Sequence, residues 1–68
     1  MKNERLLEFY MLGFKNEMDY FNVPNNEMLQ NAYLIGKKHS DAGDTLESTA
    51  YLTNDIVEFL IEKESLNN

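Results

Sequence analysis

With no cysteine anywhere in its 68 residues, this chain must hold itself together by packing alone. Small domains bury only about 60% of the surface their unfolded chains expose, and many make up the shortfall with disulfides or metals. Here no disulfide, thiolate metal site or cysteine nucleophile can form. Residues 1–68 therefore make one domain with a tight core requirement, which self-association would ease. The composition favours folding: 43% of residues are hydrophobic, four are Phe and four Tyr, and only three Gly and one Pro dilute the chain.

Twelve Asp and Glu against six Lys and Arg give a formal charge of −6. That field repels phosphate, which argues against direct nucleic-acid binding and leaves a basic protein partner or mimicry of nucleic acid open. Solubility alone also explains a charge of this size. The apolar run Leu6 to Phe14 is interrupted by Glu8 and Gly13, unlike the centre of a signal peptide. No segment approaches the ~20 apolar residues that span a bilayer, so the expected setting is the cytoplasm without membrane attachment.

Apolar residues at three- and four-residue spacing predict a first helix over about 3–21, carried by Leu7, Tyr10, Met11, Phe14, Met18 and Phe21 with Asn3 as its N-cap. Leu6, Phe9 and Leu12 widen that stripe beyond one face, so it must meet two neighbouring helices or a second molecule. Gly13 permits a close helix crossing or divides the segment in two. Asn22 to Asn26, around Pro24, punctuates the chain. A second helix over about 25–40 follows, with Lys37, Lys38 and His39 in its last turns and Gly43 as its stop. Residues 45–52 have a length that suits an ordered loop or one extra helical turn, and they read as loop. A third helix over 54–64 starts at Thr53, Asn54 or Asp55, and Glu58 and Glu62 mark its wet side. The fold class is a small all-α three-helix domain, either monomeric or dimeric through helix 1.

The chemistry-bearing residues do not assemble a catalytic set. His39, Ser40 and Asp41 are the residue types of a hydrolase triad, but consecutive helical residues point about 100° apart. Asp41, Asp44 and Glu47 outline a hard-cation site without the spacing of a calcium loop, and one His without Cys supplies too few ligands for a transition metal. Neither a metal nor another cofactor is expected. Of the eight aromatics, Phe9, Tyr10, Phe14, Tyr20, Phe21, Tyr33, Tyr51 and Phe59, most are assigned to the core.

The run Asn31, Ala32, Tyr33, Leu34, Ile35, Gly36, Lys37, Lys38, His39, with Ala42, Gly43, Asp44 and later Tyr51, Leu52, Thr53, resembles short accessory proteins of tailed bacteriophages. The resemblance implies a small protein of the host cytoplasm that acts by seizing a host protein. The functional expectation is a non-catalytic protein-interaction module that modulates or inhibits a host enzyme or defence complex. Its partner-binding surface is placed at Leu6, Phe9, Tyr10 and Gly13, which face a partner or a twin chain, together with Glu58 and Glu62. Two alternatives stand beside it. One is an acidic mimic of nucleic acid, with Glu4, Glu8, Glu17, Asp19, Asp55, Glu58, Glu62 and Glu64 in a row; the other is a self-assembling structural protein.

Overall fold

The computed structural model describes residues 5–65. Three helices run in chain order, α1 (Leu6–Phe14), α2 (Glu27–Asp41) and α3 (Asn54–Ser65), with short 3-10 turns at Tyr20–Asn22 and Glu47–Thr49. No strand occurs among the described residues. Asn3, expected to cap the first helix, Glu4 of the acidic row, and the tail after Ser65 lie outside the described residues.

The first helix is shorter than its apolar spacing predicts. It stops at Phe14 because Asn16 turns left-handed at φ 57. The Asn16 N–H then donates to the Gly13 carbonyl at 3.2 Å and the Glu17 N–H to the Leu12 carbonyl at 3.0 Å. This pair of bonds is a Schellman closure, and asparagine tolerates the left-handed position better than most side chains. Beyond it the helical spacing is a coincidence: Met18 packs at the edge of the core, whereas Phe21 projects into solvent.

α2 follows its sequence signals closely. The Asn26 side-chain oxygen accepts from the Met28 and Leu29 N–H groups at 3.0 and 3.2 Å, satisfying two donors that a helix start leaves unpaired. At the other end Gly43 adopts φ 97, and the Gly43 and Asp44 N–H groups donate to Ser40 and His39 carbonyls. Residues 45–52, read as loop, instead contain the 3-10 turn at Glu47–Thr49. Thr45 and Ser48 cap each other's N–H groups, Thr49 is buried with its hydroxyl donating to the Leu46 carbonyl at 2.6 Å, and Leu52 enters the core.

α1 packs mainly on α2, and both of its faces are used. The core joins Leu6, Phe9, Tyr10 and Phe14 of α1 to Leu29, Ala32, Tyr33 and Ile35 of α2 and to Val57 and Ile61 of α3, with Val23 and Leu52 sealing it from the connections. The α1–α2 crossing is set by two glycines. A Cβ on Gly13 would overlap the Tyr33 carbonyl, and one on Gly36 would overlap the Tyr10 carbonyl and lie 3.1 Å from the Phe14 nitrogen. The helices therefore meet backbone to backbone, running in opposite senses where 10 faces 36 and 13 faces 33. The radius of gyration, 10.8 Å, is close to the roughly 11 Å expected of a folded chain this long.

Candidate functional site

The close crossing corrects the expected partner surface. Leu6, Phe9 and Tyr10 are 0, 2 and 1% exposed, and Gly13 is buried against α2. The wide stripe on α1 meets two neighbouring helices within one chain, with Leu7, Met11 and Leu12 partly buried at the edge of the core. Glu58 and Glu62 stay on α3, half-buried and exposed, and the structure does not bring them together with the four α1 residues in one patch. Only half of the aromatics are core: Phe9, Tyr10, Phe14 and Tyr33 are buried, whereas Tyr20, Phe21, Tyr51 and Phe59 are exposed. Phe59 defeats the expectation because it lies on the outward side of α3, whose inward positions are Val57 and Ile61.

One polar cluster ties all three helices together. The Tyr10 hydroxyl lies 2.8 Å from His39 Nδ1, His39 Nε2 lies 3.0 Å from Glu64, and Lys38 Nζ lies 3.3 Å from the other oxygen of the same carboxylate. With His39 neutral, the hydroxyl donates to Nδ1 and Nε2–H donates to the carboxylate. This order of hydroxyl, imidazole and carboxylate is also that of a nucleophile, its base and an orienting acid. Burial, with smaller contributions from Asp44, Tyr51 and Glu64, pushes the Tyr10 hydroxyl up to about 12 and so favours its protonated, hydrogen-bond-donating form. The cluster thereby clamps α1, α2 and α3 to one another. It also withdraws Glu64 from the acidic row considered for mimicry, while Glu8 of that row pairs with Arg5 at 3.6 Å.

The most exposed large hydrophobic side chain among the described residues sits on the connection between α1 and α2. Phe21 is 96% exposed. Single exposed apolar residues are ordinary on protein surfaces, so exposure alone decides little. What sets Phe21 apart is how firmly its neighbours are held. The Tyr33 hydroxyl donates to the Met18 carbonyl at 2.5 Å, and the Tyr20 ring stands 6.0 Å from that of Tyr33. Asn22 and Val23 N–H groups donate to Asp19 and Tyr20 carbonyls at 2.9 and 3.0 Å, and the Val23 side chain is buried. Lys37 reaches Asn16 Oδ1 at 3.2 Å across the start of the connection. Phe21 is therefore presented by a fixed backbone, with Tyr20 half-covered and Pro24 exposed beside it in sequence.

Neither arrangement was visible in local sequence. The clamp joins residues 25 to 29 positions apart, and Phe21 fits the helical apolar spacing that the Asn16 turn interrupts. Asp41, Asp44 and Glu47 are exposed, and the described residues contain no group of three His, Asp or Glu placed to hold a metal ion. Among them, too, no helix is long and apolar enough to cross a membrane. A scan against protein-family models finds no match, and neither does comparison with curated proteins or with solved structures.

Proposed function

We propose that this chain is a non-catalytic protein-binding module whose contact residue is Phe21. The observation that carries the reading is a phenylalanine left almost wholly in water on a backbone pinned by Tyr33, Tyr20 and Val23. Burying such a ring yields about 1.5–3 kcal/mol, and a partner gains that without the entropic cost of ordering a loop. Few interface residues carry most of a binding energy, and aromatic anchors are common among them. The likeness of the central run to phage accessory proteins makes a host enzyme or defence complex the class of partner in this reading, with the chain acting as its modulator or inhibitor in the host cytoplasm.

The test is affinity capture from the producing cell, comparing the wild-type chain with F21A and identifying captured proteins by mass spectrometry. A protein held in stoichiometric amount by the wild type and lost with F21A supports the reading. Equal capture by both chains, with F21A melting like the wild type, would reject Phe21 as the contact.

A further inference from the structure

We infer that the surface centred on Phe21 docks into an apolar pocket on a partner protein whose rim is basic. The inference rests on the Phe21 reading above and adds the partner's charge to it. Between Lys15 and Lys37 the chain carries no Lys or Arg, but it carries Glu17, Asp19 and Glu27, all exposed. The cation that does approach, Lys37, is turned onto Asn16 Oδ1 and over the Tyr33 ring, 5.9 Å from its centroid. Phe21 thus projects from a stretch whose three exposed carboxylates outnumber the one cation, Lys37, that reaches its start.

That charge selects among occupants. A second copy of this chain would bring the same three carboxylates against their twins, and like charges across an interface suppress association. A nucleic-acid backbone or an anionic lipid surface is repelled by the same field. A basic rim around an apolar hole is attracted, and the two parts divide the work. The ring, desolvated in the hole, sets how slowly the complex dissociates; the screened carboxylates set how fast it forms.

The experiment selects binders to the 68-residue wild-type chain from a random displayed peptide library. The enriched peptides are then measured against the wild type, F21A and the triple variant E17Q/D19N/E27Q. The expected binders pair an apolar residue with flanking Lys or Arg. Their affinity falls about tenfold or more for F21A through faster dissociation. For the triple variant their association slows roughly three- to tenfold with little change in dissociation, and added salt reproduces that slowing in the wild type. A library yielding no Phe21-dependent binder overturns the docking reading itself. Binders that need Phe21, carry no excess of Lys or Arg, and ignore both salt and the triple variant overturn the charge assignment alone. Sedimentation that reveals a wild-type dimer dissolved by F21A assigns the surface to a second copy and overturns the basic partner.

Discussion

The side-chain oxygen of Asn54, the first residue of α3, accepts the Leu7 N–H of α1 at 2.8 Å. Arg5, which precedes α1, makes no side-chain cap bond to it. Asn54 therefore does for α1 what Asn26 does for α2, from 47 positions away along the chain. Substituting N54A leaves a helix-start donor unpaired and is expected to cost about 1–2 kcal/mol, while N54D retains an acceptor and most of the stability. Thermal melts check this, with a loss of about 4–8 °C per kcal/mol for a chain of this length.

The glycine crossing predicts a harsher outcome. Any Cβ at Gly36 must displace the α1 backbone rather than a flexible side chain, so G36A is expected to lose at least about 3 kcal/mol. A domain of this size holds only about 3–10 kcal/mol in total, and G36A should melt broadly or near room temperature. Chemical denaturation read by far-UV circular dichroism measures the loss. G13A should behave likewise, and the double variant should lose less than the sum, because both substitutions prise apart the same crossing.

Gly43 offers a contrast. A Cβ there meets nothing within 4 Å, but the residue sits at φ 97. G43A is therefore expected to cost only about 1 kcal/mol, from backbone strain alone, with the core intact by near-UV circular dichroism.

Tyr10 makes stability fall at high pH. The unfolded phenol loses its proton near 10.0, while the folded one keeps it to about 12, because burial disfavours the charged form and Asp44, Tyr51 and Glu64 add repulsion. Between those values the unfolded chain binds fewer protons than the folded one, so stability is full below the lower value and declines as pH rises through the window. The decline is expected to reach about 1–2 kcal/mol, allowing for a hydroxyl that is partly wet at His39. Denaturation curves at stepped pH check it. Y10F, which has no proton to lose, should be less stable at neutral pH and should lack this part of the decline.

What was readable in the chain is what short-range chemistry writes. The punctuation from Asn22 to Asn26 precedes α2, Gly43 stops it, and α3 falls where the third helix was read over 54–64. These signals act within one or two turns and need no knowledge of the rest of the molecule. α1 misled because its apolar residues recur through Met18 and Phe21, and spacing cannot register that Asn16 turns the backbone between them. The width of its apolar stripe was real, but it measured how many neighbours α1 has, not whether one lies outside the chain. The clamp of Tyr10, His39 and Glu64 and the exposure of Phe21 depend on which elements meet. Only the assembled core decides that.

α1 spans nine residues, fewer than the roughly 12–15 at which an isolated helix becomes even marginal in water. Its cap arrives with Asn54 and its clamp with Glu64. During synthesis α1 therefore precedes α2, its main packing partner, and gains its cap and the carboxylate of its clamp only once α3 has followed.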